Sequence, residues 1–328
     1  MQPVVKAVNS SITLKNNLDH FLARIGFSRM GHTVKPGLYS LGSPMSDSLV
    51  FVTANYTLSF DALRSSLKGI NCYILVLDTK GINVWCAAGK GTFGTDELVY
   101  RIKEVNLDKI VEHRELILPQ LGAPGVAAHE VKKRSGFKVK YGPIRAEDVP
   151  EYLKTQKVTP EMRQVKFNLI DRLVLIPVEL NLPFLVILAI LFIFSFRNGF
   201  FVLSPIFTTL LVGIILFPIV LPWLPTKDFS TKGFILGLIT AVPFALSTFL
   251  SHQGSPLWIQ AAYSLTYIFL IPPIVSYLAL NFTGSTPFTS RSGVRTEIFK
   301  YIPYLVGIFV MGIILDIILF IITSGGVI

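Results

Sequence analysis

The stretch Cys72-Tyr-Ile-Leu-Val-Leu-Asp78, followed after Gly81 by Asn83-Val-Trp-Cys-Ala-Ala-Gly-Lys90, decides the fold of the N-terminal half of this chain. The first segment is a continuous apolar run, which is typical of a strand buried on both faces. The second segment predicts a helix that begins close to Cys86. A thiol at the start of a helix has its anion favoured by backbone N–H groups and the helix dipole, so Cys86 is a candidate metal ligand or nucleophile.

The same alternation of strand and helix continues on both sides of this stretch. Further strands are predicted at 49–56, 115–118 and near 137–141, and helices at 58–68, 95–105 and after Gly125. Such alternation predicts an α/β fold, Rossmann-like, with a parallel sheet and crossover helices.

Ligands of parallel sheets collect at the carboxyl ends of the strands. Thr53, Asn55, the loop that carries Cys86, residues 120–125 and the Gly142-Pro143 pair all follow predicted strands. We therefore expect one shared binding site at this edge.

The sequence fits neither of two known phosphate-binding motifs well. Residues 89–94 match G-x-G-x-x-G, but Glu115 begins a strand where the acidic residue of a dinucleotide site should end one. The P-loop motif does not match at the required spacing. It needs Gly at position 84 and Ser or Thr at position 91, where the chain has Val84 and Gly91. The glycines do allow the backbone to approach a large flat ligand closely.

The two cysteines receive different interpretations. Cys72 lies within a strand, where cysteine is usually a small buried hydrophobe. For Cys86, a catalytic Cys–His pair with His113 or His129 is an open alternative, although the chain has no protease signature. Zinc and iron–sulfur spacings are absent. A single cysteine ligand indicates a metal that is already held by a macrocycle, with the thiolate as its axial ligand.

Composition changes sharply along the chain. Hydrophobic residues make up 51% of it, and residues 1–172 hold 24 of the 30 Lys and Arg and 16 of the 20 Asp and Glu. We expect a soluble domain at 1–155, a basic linker at 156–172 and a transmembrane domain at 173–328. The net positive charge of the soluble part favours contact with anionic lipid or with an acidic protein partner. No motif or basic tract indicates nucleic-acid binding.

Five apolar stretches in the second half approach the roughly 20 residues that cross a bilayer. They run at 173–196, 200–223, 233–250, 257–280 and 303–323. Lys and Arg cluster before the first, after the second and before the fifth, which by the positive-inside rule predicts a cytosolic N-terminal domain and an external C-terminus in the cytoplasmic membrane. Glu179 and Asp316, in or near these stretches, are either functional or ordinary interface and bundle residues.

The motif at 83–90 resembles the cap-helix motif of the mercury-methylating corrinoid proteins, whose architecture also ends in five spans. Residues 36–58 and 136–143 resemble the corrinoid-binding domain of the large subunit of the corrinoid iron–sulfur protein. The D-x-H-x-x-G mode of corrinoid binding is absent.

This resemblance implies a cobalamin-type corrinoid, with cobalt bound from below by the Cys86 thiolate. Because the chain has only two cysteines, we expect no intrinsic iron–sulfur cluster. It makes Cys86 the catalytic residue and the cobalt ligand. The expected cofactor-binding residues are Thr53, Asn55, Asn83, Val84, Trp85, Cys86, Ala87, Ala88, Gly89, Lys90, Gly91, Gln120, Gly122, Val126 and Gly142. Asn83 either caps the motif helix or bonds a corrin amide.

The resemblance further implies a methyltransferase that moves a methyl group from methyl-cob(III)amide to thiol-bound Hg(II), giving methylmercury. The expected partners are a ferredoxin-like protein with two [4Fe-4S] clusters as reductant and a methylated folate or its methyltransferase as methyl donor. Two alternatives stay open: a membrane-bound corrinoid methyl carrier with another acceptor, and a membrane transporter or sensor with a cytosolic ligand-binding domain.

Overall fold

The computed structural model describes residues 5–28, 30–180, 200–285 and 291–324. The chain forms two compact units, Met1–Lys166 and Phe167–Ile328. We call them the sheet unit and the helical unit. The finer division expected from the sequence, with a linker at 156–172, stays a prediction.

The sheet unit alternates strands and helices for most of its length. Its elements are β1 (Val5–Val8), α1 (Leu14–Arg24), β2 (Gly37–Leu41), β3 (Val50–Ala54), α2 (Thr57–Ser66), β4 (Cys72–Leu77), α3 (Val84–Lys90), α4 (Thr95–Glu104), β5 (Glu115–Leu118), α5 (Ala128–Ser135), β6 (Lys138–Tyr141) and α6 (Val149–Thr155). Short 3-10 turns occur at Leu107–Lys109, Gln120–Gly122, Ala146–Asp148 and Glu161–Arg163.

The six strands form one sheet in the order β1-β2-β4-β3-β5-β6. β4, β3, β5 and β6 run parallel to one another, and β1 is parallel to β2. The α/β fold predicted from the sequence is confirmed, with a correction: the sheet is mixed, because β2 pairs antiparallel with β4. β1 and β2 were not predicted from the sequence.

Two apolar clusters cover the two faces of this sheet. Val52 of β3 and Leu75 of β4 face the cluster that includes α3, α4 and α5. Phe51 and Ile74, the alternate residues, face the cluster that includes α2 and α6. Burial on both faces explains why these strands are largely apolar and do not alternate between apolar and polar residues.

The helical unit begins with two short helices, α7 (Leu169–Leu173) and α8 (Ile176–Glu179). It continues with α9 (Phe200–Leu211), a π-helical turn at Val212–Leu216, α10 (Phe217–Val220), α11 (Phe229–Ser251), α12 (Leu257–Ser285) and α13 (Arg291–Ser324).

Among the described residues, four segments are long and apolar enough to cross a membrane. They are Leu203–Trp223, Phe229–Ser251, Leu257–Phe282 and Gly293–Ser324. They correspond to the second to fifth predicted spans. The first predicted span, 173–196, begins in α7 and α8, and its remainder lies outside the described residues. The five-span topology and its orientation stay predictions.

Close backbone approach holds α11 against α12. A Cβ at Gly233 would lie 2.5 Å from the Cβ of Ala279, and one at Gly237 would lie 2.5 Å from the Cα of Pro272. Small residues at such contacts are typical of helices that pack within a membrane.

Among the described residues, one ionisable side chain that bonds within this bundle, Glu297, was not singled out from the sequence. Asp316 is on an exposed face of α13. Glu297 instead accepts a hydrogen bond from the backbone N–H of Phe229 at 2.7 Å, so it caps the start of α11 from a neighbouring helix.

Candidate functional site

The candidate site lies at the edge where the parallel strands β4, β3, β5 and β6 end. β4 ends at Leu77, and the chain then forms a short connection that leads to Asn83 and α3. For these four strands, the segments that follow the strand ends therefore lie at one edge of the sheet, as the sequence predicts.

Asn55, just after β3, holds the connection between β4 and α3. Its side chain is buried, and its Oδ1 accepts hydrogen bonds from the backbone N–H groups of Thr79 and Gly81, both at 3.1 Å. The Thr79 hydroxyl lies 2.8 Å from the same oxygen. The Asn55 oxygen is therefore engaged within the protein, and its evident role is to position the loop before α3.

Asn83 is the N-cap of α3. Its Oδ1 accepts a hydrogen bond from the backbone N–H of Cys86 at 2.9 Å, and its carbonyl accepts from the N–H of Ala87 at 2.9 Å. Of the two roles left open for Asn83, the structure shows the capping role. Asn83 thereby fixes the backbone at the residue that carries the thiol.

Helix α3 divides into a buried and an accessible side. Val84, Ala87 and Ala88 are buried in the cluster on that face of the sheet. Trp85 and Cys86 are partly exposed, and Gly89, Lys90 and Gly91 are exposed. The helix ends at Gly91 in a left-handed conformation with φ of 82°, which favours glycine. The accessible side thus carries the thiol, the indole and the ammonium group.

Two glycines of the 120–126 segment are required by packing. A Cβ at Gly125 would lie 2.1 Å from the carbonyl oxygen of Phe93 and 3.0 Å from the Cα of Ala88. A Cβ at Gly122 would lie 2.5 Å from the Phe93 ring. These glycines let the segment lie directly against α3 and the residues after it.

The other expected cofactor contacts differ in accessibility. Gln120 is partly exposed at the strand edge. Val126 and Gly142 are buried: the Val126 carbonyl accepts from the Tyr141 hydroxyl at 2.6 Å, and the Gly142 N–H donates to Leu118 at 2.8 Å. Thr53 is also buried, and it alternates with Val52, so it points to the face opposite α3. The structure therefore brings together residues 83–91 and the 120–125 segment, while Thr53 lies apart.

The two cysteines differ in their surroundings. Cys72 is fully buried at the start of β4, and burial raises the pKa of its thiol to about 12. Cys86 is partly exposed on α3. Of the two cysteines, Cys86 is the one that is accessible from the surface.

The two histidines weighed as catalytic partners have other surroundings. His113 precedes β5, at the opposite end of the strand from this site; its Nε2 lies 2.9 Å from the Ser48 carbonyl, and its Nδ1 accepts from the N–H of Glu115 at 3.2 Å. His129 has an 82% exposed side chain, 3.7 Å from Glu130. His113 therefore lies away from the candidate site, and the role of Cys86 as a ligand or a nucleophile stays a prediction.

Within the described parts of the chain, no group of three or more His, Cys, Asp or Glu side chains could hold a metal ion.

Comparisons with known proteins concern the sheet unit. Residues 28–153 match the family described as CO dehydrogenase/acetyl-CoA synthase delta subunit. The gamma subunit of the acetyl-CoA decarbonylase/synthase complex of Methanopyrus kandleri is 33% identical over 125 residues, 38% of this chain and 27% of that protein. The same subunit from Methanothermobacter thermautotrophicus is 32% identical over 127 residues, 38% of this chain and 27% of that protein. The Archaeoglobus fulgidus subunit is 34% identical over 113 residues, 34% of this chain and 24% of that protein.

This chain spans about a quarter of the length of the curated relatives it matches. The likeness supports the coarser part of the expectation, a relation of this region to subunits of CO dehydrogenase/acetyl-CoA synthase and of acetyl-CoA decarbonylase/synthase complexes. Mercury methylation stays a prediction. Helix α1 and the helical unit lie outside residues 28–153.

Proposed function

We propose that the sheet unit binds a cobalamin-type corrinoid and acts in methyl transfer, with the Cys86 thiolate as the lower axial ligand of cobalt. The observation that carries the proposal is the presentation of Cys86. It is partly exposed on α3, and α3 follows the loop at the carboxyl edge of the parallel strands. The likeness to acetyl-CoA decarbonylase/synthase gamma subunits supports a one-carbon role for the same region.

The residues around Cys86 fit such a cofactor. A Cβ built at Gly89 or at Gly91 would meet no atom within 4 Å, so the end of α3 leaves open space beside the thiol. A soft thiolate is a suitable ligand for a transition metal, and the macrocycle would supply the equatorial ligands. The donor set and the open glycine surface agree with a large planar cofactor.

When bound, the corrinoid would supply a cobalt–methyl bond whose electron pair leaves with the methyl group, so cobalt would regain two electrons from a partner before the next transfer. Cys86 would hold the metal through its thiolate sulfur and donate charge to it. Asn83 keeps the backbone at Cys86 fixed through its 2.9 Å hydrogen bond. Asn55 holds the loop that leads to Asn83.

The methyl acceptor that we propose is thiol-bound Hg(II), and the product is methylmercury. Support comes from the eight-residue motif at 83–90 and from the four apolar helices that follow the sheet unit. In this proposal a ferredoxin-like protein with two [4Fe-4S] clusters is the reductant, and a methylated folate or its methyltransferase supplies the methyl group. The protein acts at the cytoplasmic membrane with the sheet unit in the cytosol.

A second candidate function keeps the corrinoid but changes the acceptor. The curated relatives are subunits of acetyl-CoA decarbonylase/synthase complexes, which favours a methyl carrier of one-carbon metabolism. In that case the chain would deliver its methyl group to an organic or protein acceptor, and mercury would react only as a competing soft electrophile.

The test compares the two cysteines in the full-length protein, reconstituted anaerobically with a corrinoid. Cys86→Ala is expected to change the absorption spectrum of the bound cofactor and to abolish methylmercury formation, because the axial sulfur is lost. Cys72→Ala, the matched control, should leave both unchanged in the fraction that folds. Unaltered spectra and methylation in Cys86→Ala would refute the ligand assignment.

The acceptor is tested separately with the unaltered protein. Methyl transfer to Hg(II) and to an organic thiol would be measured side by side. Faster transfer to Hg(II) supports the first function, whereas preference for the thiol supports the second. Absence of any corrinoid spectrum after reconstitution would contradict both and favour a transporter or sensor.

A further inference from the structure

Helix α1 displays its apolar residues outward. Leu14, Leu18 and Phe21 are 87%, 59% and 53% exposed, and no residue of the helix is buried. At 100° per residue these three side chains fall within an arc of about 60° on one side of the helix. Phe27 and Met30, just after the helix, are exposed as well. We call Leu14, Leu18 and Phe21 the apolar stripe.

The opposite side of α1 attaches the helix to the sheet unit through polar groups. His20 Nε2 lies 2.8 Å from Asp61 Oδ2, and Asn16 donates to the same oxygen at 3.1 Å. Asp19 accepts from the Thr57 hydroxyl at 2.9 Å and lies 2.7 Å from His32 Nδ1. These contacts fix the rotation of the helix about its axis.

The arrangement reverses the usual rule for a surface helix, in which the apolar face packs on the core. Rotating α1 to bury the stripe would break the contacts of Asp19 and Asp61. The capping box between Thr13 and Asn16 further fixes where the helix starts. The stripe is therefore held outward by specific bonds, and an exposed apolar patch of this kind marks an interaction surface.

We propose that the apolar stripe of α1 inserts into the interface of a lipid bilayer. The chain itself supplies the reason for this partner: four of its helices are long and apolar enough to cross a membrane, so the sheet unit is tethered to the bilayer that they span. Tethering makes the membrane surface available at high effective concentration.

The charges beside the stripe suit anionic headgroups. Lys15 and Arg24 project about 90° to either side of the stripe at 100° per residue. Lys15 is exposed and Arg24 partly exposed. Basic residues that flank an apolar face are typical of helices lying in a membrane interface.

The test measures depth in the full-length protein. A nitroxide would be placed through Leu18→Cys, in a Cys86→Ser background, after reconstitution into vesicles of phosphatidylcholine and phosphatidylglycerol. Tyr100→Cys, an exposed apolar position on α4, is the matched control. The label at position 18 should collide more with oxygen than with a water-soluble nickel chelate, and the label at position 100 should show the reverse.

Equal accessibility at the two positions would overturn the proposal. Dipolar broadening between labels at position 18 would overturn it as well, because it would show a second copy of the chain covering the stripe. In a further variant, Phe21→Glu should move a label at position 14 towards water without lowering the temperature of unfolding, since the stripe makes no core contact. Loss of folded protein in Phe21→Glu would show that the stripe packs within the chain and would likewise contradict the proposal.

Discussion

Cys72 and Cys86 lie on the two sides of one loop and differ in almost every physical property. Cys72 begins β4 and faces the cluster between the sheet and α2, without contact with water. Cys86 is in a helix that buries only Val84, Ala87 and Ala88 and so leaves the thiol partly exposed. The comparison shows that the fold, and not the thiol itself, separates a structural cysteine from one available for chemistry.

The largest expected difference between the two cysteines is in alkylation. With a pKa of about 12, about 1 in 10,000 Cys72 side chains is a thiolate at pH 8, and burial blocks the reagent in addition. Cys86 should react with iodoacetamide in the native protein, and Cys72 only after unfolding. Peptide mass spectrometry after timed exposure checks this, and equal labelling of both cysteines in native protein would remove the distinction.

Asn55→Ala should act on the loop between the two cysteines and leave β4 in place. It removes the acceptor of the Thr79 and Gly81 N–H groups, which would be left buried without a partner. We expect a loss of about 3 kcal/mol in the free energy of unfolding, since each unsatisfied buried group costs about 1–3 kcal/mol.

Chemical denaturation measures this loss, and Asn17→Ala is its control because Asn17 is exposed on α1. The control should change stability by less than about 0.5 kcal/mol. Hydrogen exchange should accelerate at residues 79–86 in Asn55→Ala and remain slow in β4. A uniform acceleration over the whole sheet unit would contradict the local role of Asn55.

Asn83→Ala should give the smallest effect. It removes the acceptor of the Cys86 N–H, and loss of an N-cap costs about 1 kcal/mol. Asn83→Asp should retain most of this stability, because a carboxylate accepts the same bond. The measurement is the hydrogen-exchange rate of the Cys86 amide proton, compared between Asn83→Ala and Asn83→Asp. Equal protection in both would show that the cap does not hold the backbone at the thiol.

The sequence was sufficient for the central strands because their burial leaves a clear pattern. β3 and β4 are almost entirely apolar, and Gly69 and Gly81 mark the connections with positive φ. β1 was missed because it has four residues, of which Lys6 is charged. The antiparallel pairing of β2 with β4 is a long-range contact that local periodicity does not contain.

The sequence indicated which residues follow the parallel strands, and it indicated less well what each of these residues does. A polar or glycine residue after a strand indicates the edge where ligands bind, and Asn83 to Gly91 lie there. The same position does not separate an amide that binds ligand from one that holds a loop, as Asn55 does. Thr53 stays a predicted contact, although it lies on the sheet face opposite α3, because a strand buried on both faces gives no signal of which face each residue occupies.

The contact between Gly125 and α3 means that main-chain atoms set the depth at which the helix sits on the sheet. Side chains on the outer surface of α3 could therefore be exchanged over evolutionary time without displacing the sulfur. A single methyl group added at position 125 would instead collide with the main chain and shift the whole of α3, although every outward-facing side chain would be chemically unchanged.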